Sequence, residues 1–262
     1  DIKSQNLRNV IQRSPSLVIS PPGTKGIRIA TWNSQGLGKF DKYGKLSPKN
    51  KHGLVETIID KHKLHFLAIQ ETGCERLAFK LPYHVGTGSQ NFEHKKDKQL
   101  GLLNLAHKQF VSHPIPDLSS TNSPEVATTL LHFPACKVVV FNVYNQGNTD
   151  LAIRFVQNKI SENNLTHYIV MGDFNSHHAS LGPKGAERAN VGGKALVSFM
   201  EITGAILCDM EFPTHNKGGI LDRVLLSPSL ADSLLKTEVG LNCGSDHMVK
   251  IVTLANAVLI PP

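Results

Sequence analysis

The stretch YIVMGDFNSHHAS, residues 168–180, combines a strand-like apolar run with a cluster of polar side chains. The apolar run is typical of a buried strand. It ends at Gly172, which would let a neighbouring backbone or a ligand approach closely. Asp173 and Asn175 lie two positions apart, so an extended backbone would point both side chains the same way. Either the strand simply ends in a polar loop, or its end directs several ligands to one point.

The composition permits a large folded domain and weakly indicates the kind of partner. The chain has 262 residues, 40% of them hydrophobic, and a formal net charge of +7. That length is compatible with one large domain or two small ones. No apolar run approaches the roughly 20 residues of a membrane helix, so we expect no membrane association. The basic balance favours a polyanionic partner such as nucleic acid.

The cysteines do not predict a zinc or redox centre. They are widely spaced and form no CxxC pair: Cys74, Cys136, Cys208 and Cys243. A cysteine-based zinc site or a thioredoxin-like motif is therefore not expected. Reduced thiols, as in cytosolic or nuclear proteins, are the default expectation.

Strand-like and helix-like segments mix along the chain from residue 27 onwards. The strand-like runs are 27–33, 64–71, 137–144, 166–173, 220–226 and 248–254. Amphipathic helices are predicted over 52–63, 151–163 and 192–204. With no internal repeat, this mixture predicts one α/β domain over residues 27–256. Residues 1–26 are expected to form a flexible arm or linker, and residues 257–262 a linker remnant.

Polar residues stand at the ends of the predicted strands. They are Asn33, Glu71, Tyr144, Asp173, Asp222 and the run Ser245, Asp246, His247. Each one alone has an ordinary explanation as a turn or solvent-facing residue. Asp222 is an exception, because a carboxylate among apolar neighbours needs a partner if it is buried. Six such strand ends together favour a site that is held by a rigid scaffold.

The residue types at these strand ends suit a hard cation. Mg²⁺ prefers carboxylate and carbonyl oxygens and commonly acts on phosphates, so Mg²⁺ or Mn²⁺ is the predicted metal. The adjacent His177 and His178 could suggest zinc. They lack the ligand spacing and the further histidines or cysteines that zinc sites usually have.

Two lysine-rich segments are candidates for contact with a phosphate backbone. They are residues 39–51 and 94–98. Each is either an ordinary solvated loop or a DNA contact. With residues 214–219, they are the segments that we expect to cross a DNA groove and influence target choice.

The motifs TWN, IQET, NVY, GDFN, LD and SDH, in this order, resemble the endonuclease/exonuclease/phosphatase superfamily. The resemblance covers about residues 27–254. It implies an α/β fold of the DNase I-like type: a four-layered α/β sandwich in which two packed mixed β-sheets are flanked by helices. Six ordered motifs are a strong signal, although GDFN or SDH alone would be a modest one.

Longer segments of the sequence indicate which group within the superfamily the chain resembles. GDFNSHHASLG, FPTHNKGGILDRVLLSPSLA and GSDH are similar to the apurinic-like endonuclease domain of non-LTR (LINE-type) retrotransposons. Two positions depart from the relatives. Leu181 stands where that group often has Trp, and Arg223 stands where repair-type members usually have an aromatic residue. The second departure counts against a dedicated abasic-site repair enzyme.

The resemblance implies three groups of site residues. The metal would be held by Glu71, Asn33 and Asp246. The catalytic group would consist of Asp173, Asn175, His247, Asp222 and Tyr144. Contacts with phosphate or DNA are implied for Ser245, Thr214, His177 and His178.

The resemblance also implies the role of each catalytic residue. Asp173 would orient or deprotonate the attacking water, and Asn175 would help to position it. Tyr144 would contact the scissile phosphate. His247 would face that phosphate as a hydrogen-bond donor or acid/base, and Asp222 would pair with His247 to fix its tautomer.

The activity implied is that of a divalent-metal-dependent DNA endonuclease. It would nick double-stranded DNA and leave a 3′-hydroxyl that primes reverse transcription of a non-LTR retrotransposon. We expect a monomeric part of a longer polyprotein with a reverse transcriptase domain, in the nucleus or in the cytoplasm before nuclear entry. The alternatives are an abasic-site repair nuclease, a general DNase or another phosphoesterase of the superfamily. A non-catalytic binding module on the same scaffold should have lost some of the site residues.

Overall fold

The computed structural model describes residues 26–38, 51–73, 84–89, 101–120, 125–133, 136–182, 188–208 and 212–255. The expected arm up to residue 25 and the linker remnant lie outside these ranges. So do the lysine-rich segment 94–98 and all of 39–51 except Lys51.

The described part of the chain contains twelve strands and three α-helices. The strands are β1 (Gly26–Asn33), β2 (Phe66–Gln70), β3 (His84–Ser89), β4 (Leu102–His107), β5 (Ser112–Pro114), β6 (Glu125–His132), β7 (Lys137–Tyr144), β8 (Tyr168–Asp173), β9 (Ile206–Leu207), β10 (Asp222–Leu226), β11 (Leu234–Asn242) and β12 (Met248–Ala255). The helices are α1 (His52–His62), α2 (Leu151–Asn163) and α3 (Val191–Thr203). None of the helices in these ranges has the length and apolar character that crossing a bilayer requires.

The strands form two mixed sheets with the same internal plan. Sheet 1 has the order β11-β12-β1-β2-β4-β3, and sheet 2 has the order β5-β6-β7-β8-β10-β9. In each sheet one parallel pair, β1 with β2 or β7 with β8, lies between antiparallel neighbours. The parallel partners are joined through α1 in sheet 1 and through α2 in sheet 2, as parallel pairing requires a crossover.

Three apolar clusters show that the molecule has four layers. One cluster joins α1 to sheet 1, a second lies between the two sheets, and a third joins α2 and α3 to sheet 2. The strand β8 is buried along its whole length because both of its faces are covered. Ile169 and Met171 face sheet 1, whereas Tyr168 and Val170 face the helices. The predicted four-layered, DNase I-like α/β sandwich is therefore confirmed.

The sequence patterns located the helices and most internal strands, but they missed the four edge strands and the internal strands β4 and β6. Every predicted strand and helix is present, with ends that differ by no more than two residues. Six further strands were not predicted: β3, β4, β5, β6, β9 and β11. Four of them, β3, β5, β9 and β11, are edge strands.

Candidate active site

The topology brings the predicted strand ends to one edge of the sandwich. The carboxyl ends of parallel strands meet, so Asn33 lies beside Gln70 in sheet 1 and Tyr144 lies beside Asp173 in sheet 2. The neighbouring strand β10 is antiparallel and therefore begins at this edge, with Asp222 opposite Asp173. β12 likewise begins here, directly after His247. Residues that are far apart in the chain thus surround one point between the sheets.

Asn33 connects carboxylates from the two sheets. Its amide nitrogen lies 2.8 Å from Glu71 Oε1 and 2.8 Å from Asp173 Oδ2. Its Oδ1 accepts a hydrogen bond from the backbone N–H of Gln35 at 3.0 Å. Asn33 is therefore a bridging donor in this structure, and its role as a metal ligand stays a prediction.

Glu71 has a backbone conformation that indicates constraint. Its φ is 49°, in the left-handed region that glutamate rarely adopts, and such strain often accompanies functional sites. The phenol of Tyr144 lies close enough to the Glu71 carboxylate to interact with its charge. Burial, with the charge of Glu71, raises the pKa of Tyr144, so its phenol stays protonated and remains a donor.

Asp222 and His247 form the pair that was predicted from the sequence. His247 Nδ1 lies 2.8 Å from Asp222 Oδ2, and Asp222 is completely buried. The other ring nitrogen, Nε2, lies 3.8 Å from Asp173 Oδ2 and 3.6 Å from Asp246 Oδ1. Burial lowers the pKa of His247, but the hydrogen bond and charge of Asp222, with the charges of Asp173 and Asp246, raise it to about 9. A cationic imidazole is thus held among three carboxylates.

The surroundings of Asp173 favour its neutral, protonated form. Burial, with the charge of Asp222, raises the pKa of Asp173 to about 7, although His247 and the hydrogen bond from Asn33 favour the ionised form. A carboxylate with this pKa is suited to take up and release a proton near neutral pH.

Gly172 explains how β8 reaches this position. Its φ is +146°, and a Cβ atom there would lie 1.9 Å from the carbonyl oxygen of Val143 on β7. The close approach that the sequence predicted is therefore made by a neighbouring backbone. Any larger residue would push β8 away from β7 directly beside Asp173.

The loop after β8 is held by several side chains. Asn175 has a φ of 46°; its N–H donates to Asp173 Oδ1 at 3.0 Å, and its Nδ2 donates to the Asn145 carbonyl at 3.1 Å. The side chain of Asn190 caps α3 through the N–H of Gly193 and also bonds the backbones of Asn175 and His177. These contacts fix the position of Asn175 relative to Asp173.

Arg223, noted above as a departure from repair enzymes, has a structural role in the same loop. Its guanidinium donates to the carbonyls of Leu181 and Ser176 at 2.6 and 3.2 Å. Burial lowers its pKa to about 10, against the opposing charge of Asp222, so Arg223 remains cationic at neutral pH.

Ser245 and Thr214 hold the backbone of the site. Ser245 Oγ donates to the Asn33 carbonyl and accepts from the His247 N–H. Thr214 Oγ1 accepts from the backbone N–H groups of Leu221 and Asp222. Both side chains are buried. Their predicted contact with phosphate or DNA stays a prediction.

The two histidines of the opening stretch lie beside the site. His177 is exposed and His178 is half-buried. The Nδ1 atom of His178 accepts from the Ser180 N–H and thereby caps a short 3₁₀ turn. Their contact with DNA stays a prediction.

Some site residues were not found from the sequence. His215 contacts Asp246 and packs edge-to-face on His247. Lys51, the described end of the first lysine-rich segment, donates to the Ser34 carbonyl at 2.5 Å and is close enough to Asp246 and Glu71 to interact with their charges. No sequence signal distinguishes His215 or Lys51 from neighbouring residues. Asn190 could have been found, because an asparagine before a helical pattern is a typical N-cap.

The donor set of the site fits a hard divalent cation. Glu71, Asp173, Asp222 and Asp246 converge, and the cationic His247 offsets only part of their charge. Asp246 Oδ1 is buried and has no hydrogen-bond partner among the described residues. Carboxylate oxygens in such surroundings suit Mg²⁺ or Mn²⁺. The described residues bring two groups of possible ligands together, Asp173 with Asp222 and His247, and His215 with Asp246 and His247. The assignment of the metal to Glu71, Asn33 and Asp246 stays a prediction.

Comparison with solved structures shows that the fold occurs in nucleases. The endonuclease domain of TRAS1, a telomere-specific non-LTR retrotransposon, is 14% identical with a TM-score of 0.66, and the match covers 88% of this chain and 98% of that one. The AP endonuclease LMAP from Leishmania major is 14% identical with a TM-score of 0.65, over 97% and 99%. The 3′-5′ exonuclease NExo from Neisseria meningitidis is 17% identical with a TM-score of 0.62, over 87% and 100%.

Sequence comparison gives a more specific match. Residues 138–251 match the family model described as endonuclease-reverse transcriptase. None of the curated proteins matches the chain. The fold and the partial family match agree with the resemblance that the sequence motifs indicated, to the endonuclease/exonuclease/phosphatase superfamily. Within that class, the chain is similar to retrotransposon endonucleases.

Proposed function

We propose that the protein is a divalent-metal-dependent DNA endonuclease that nicks double-stranded DNA and leaves a 3′-hydroxyl. The observation that carries the proposal is the arrangement of a proton acceptor and a cationic donor around one point. Asp173 has a pKa raised to about 7, and His247 has a pKa raised to about 9. Their facing atoms, Oδ2 and Nε2, are 3.8 Å apart. Such a pair can combine proton uptake from water by Asp173 with hydrogen-bond donation to the phosphate by His247.

The proposed reaction assigns a step to each group. Asp173 takes a proton from water as the water oxygen bonds to phosphorus. The bond between phosphorus and O3′ breaks, and the O3′ atom takes a proton from a solvent water to become the 3′-hydroxyl. Asp173 then releases its proton to the resulting hydroxide, which restores the starting state of the site. His247, oriented by Asp222, donates to a phosphoryl oxygen and stabilises its developing charge. Asn175 and Tyr144 orient the phosphate. Mg²⁺, when bound, supplies Lewis acidity and neutralises charge on the phosphate.

The proposed context is the insertion of a non-LTR retrotransposon. It is supported by the description of the matched family, endonuclease-reverse transcriptase, and by the fold shared with a retrotransposon endonuclease domain. In this context the 3′-hydroxyl at the nick would prime reverse transcription on nuclear DNA. The protein would act as part of a polyprotein that also carries a reverse transcriptase.

A plasmid assay tests the proposal. The protein should convert supercoiled DNA to the open circle with Mg²⁺, and EDTA or Glu71→Ala should abolish the conversion. A DNA polymerase should extend the nick without prior phosphatase treatment, because a 3′-hydroxyl is already present. Absence of nicking, or ends that need phosphatase before extension, would refute the proposal.

The second candidate function is abasic-site repair, which the fold shared with an AP endonuclease favours. A matched pair of duplex oligonucleotides, one with an abasic site and one intact, separates the two functions. We expect the intact duplex to be cleaved at a rate within about tenfold of the abasic one. A preference above about 10³-fold, typical of a dedicated recognition pocket, would favour repair.

A further inference from the structure

His215 lies in a segment that pairs with the residues directly before β12. The N–H of Met248 donates to the Thr214 carbonyl at 2.7 Å, and the N–H of Asn216 donates to the Asp246 carbonyl at 2.8 Å. These bonds form an antiparallel bridge between His215 and His247. The backbone on both sides of His215 is thus fixed to the backbone of Asp246 and His247.

The tautomer of His215 follows from its backbone contact. The N–H of Lys217 donates to His215 Nδ1 at 3.1 Å, so Nδ1 is the acceptor and carries no proton. In a neutral imidazole the proton must then be on Nε2. His215 Nε2 lies 3.3 Å from Asp246 Oδ2. His215 therefore places its Nε2–H beside one particular oxygen of Asp246, as a close polar contact without hydrogen-bond geometry.

The two oxygens of Asp246 are consequently not equivalent. Oδ2 faces the N–H group of His215. Oδ1 is buried, lies 3.6 Å from His247 Nε2, and has no hydrogen-bond partner among the described residues. A buried carboxylate oxygen without a hydrogen-bond donor is a candidate ligand for a cation.

We propose that His215 is a positioning residue that holds Asp246 Oδ2 and so presents Oδ1 to the divalent metal. The inference rests on the proposed function, since that function assigns a metal to this site. Groups that orient a metal ligand typically change metal affinity by about 10- to 100-fold when they are removed. The ring of His215 also restrains His247, because the two rings pack edge-to-face with centroids 4.9 Å apart.

His215, Asp246 and His247 are close enough to form a cation site of their own, but the tautomer argues against it. A metal on His215 Nε2 would need the lone pair there, and the proton would have to move to Nδ1. That atom already faces the N–H donor of Lys217. His215 is therefore an orienting donor and not a ligand.

Three substitutions of His215 distinguish a residue that orients Asp246 from a residue that binds the metal itself. The affinity of each variant for Mn²⁺ is measured without DNA, from the electron paramagnetic resonance signal of free Mn²⁺. His215→Asn keeps an acceptor near Nδ1 and removes the distal N–H, so binding should weaken by about 10- to 100-fold. His215→Phe keeps the ring and should weaken binding equally. His215→Gln places an amide N–H near the position of Nε2, and its affinity should stay within about threefold of the original. His167→Asn, at the opposite end of β8, is the matched control and should change nothing.

Several results would overturn the inference. The first is a Mn²⁺ affinity that His215→Asn leaves unchanged. The second is a loss of affinity that is equal in His215→Gln and His215→Asn. The third is that the original protein shows no Mn²⁺ binding that Glu71→Ala removes. Zn²⁺ binding that is lost in His215→Gln would make His215 a ligand and refute the positioning role. Because the measurement uses no DNA, failure to nick plasmid contradicts the proposed function while leaving the Mn²⁺ comparison to decide this inference.

Discussion

The space between the two sheets is apolar at one end and polar at the other, although the same strands line both ends. On β1 the inward-facing positions run Ile27, Ile29, Thr31 and Asn33 towards the site. The same change occurs on three further strands: Phe66 to Gln70 on β2, Val138 to Asn142 on β7, and Ile169 to Asp173 on β8. The distal end is a hydrophobic core, and the proximal end supports the candidate site.

A buried polar network connects the two ends. Asn142 of sheet 2 reaches across to sheet 1: its Nδ2 lies 2.8 Å from Asn104 Oδ1, and its Oδ1 accepts from Gln70 Nε2 at 2.7 Å. Gln70 also donates to Thr31 at 2.9 Å. Burying polar groups costs little free energy when all of them are hydrogen-bonded, and such a network orders its surroundings. Removing one member takes a hydrogen-bond partner away from each of its neighbours. We infer that the distal end mainly supplies stability and the proximal end mainly supplies geometry.

The largest expected effect is on stability, at the distal end. Phe66→Ala removes a buried ring from between the sheets and should cost about 3–5 kcal/mol of unfolding free energy. The turnover of the molecules that remain folded should change by less than about twofold. Urea denaturation and plasmid nicking at a temperature where both proteins are folded measure the two quantities. A large loss of turnover at full folding would show that the two ends are not separable.

The next effect is on activity, at the proximal end. His247→Ala removes the cationic donor and should lower the nicking rate by about 10²-fold or more, which is roughly 2.7 kcal/mol of activation free energy. DNA binding should stay intact, because the lysine-rich segments that are predicted to contact the phosphate backbone are unchanged. His167→Ala, at the other end of the sandwich, is the control for loss of a histidine. Nicking by His247→Ala at the original rate, with DNA binding unchanged, would remove His247 from the mechanism.

The third prediction concerns the network between the two ends. Asn142→Ala leaves Gln70 and Asn104 without a shared partner and should cost about 1–3 kcal/mol of stability. It should also lower the nicking rate by about tenfold, because Gln70 immediately precedes Glu71. Val140→Ala, on the same face of β7, should lower stability by a similar amount without affecting the rate. If both variants changed the rate alike, the network would have no special connection to the site.

The sequence predicted the central strands because their burial is visible locally. In β8 and β7 an apolar run ends at a polar residue, and this pattern located Asp173 and Tyr144. β6 was not predicted, although it is buried throughout, because its side chains include Thr128 and Thr129, whose partners come from other parts of the chain. Two of the edge strands, β5 and β9, have only three and two residues. Their pairing depends on neighbours rather than on their own pattern.

The same physical limit applies to the site. Residues at the ends of apolar runs were recognisable individually, whereas residues that act through distant partners were not. The importance of His215 depends on Asp246 and Lys217, and that of Asn142 depends on contacts in the other sheet. Such roles exist only after folding, because a loop or a crossing strand creates the contact.

The last prediction concerns the change of stability with pH at Asp173. As its pKa in the folded protein is raised to about 7, the folded state binds a proton more tightly there than the unfolded state does. Ionisation of Asp173 therefore opposes folding increasingly as the pH rises from about 4 to 7, and in full above that. Asp173→Asn cannot ionise and escapes this penalty, but it loses one of the hydrogen bonds that Asp173 accepts from Asn33 and from the Asn175 backbone.

The informative quantity is thus the difference in melting temperature between Asp173→Asn and the original protein, measured in EDTA at pH 5 and pH 8. It should shift in favour of the variant at pH 8, because ionisation opposes folding only in the original protein. The variant should lose nicking activity at both pH values. A difference that does not change with pH would mean that Asp173 is ionised without penalty, and the proximal end would then not sacrifice stability for its chemistry.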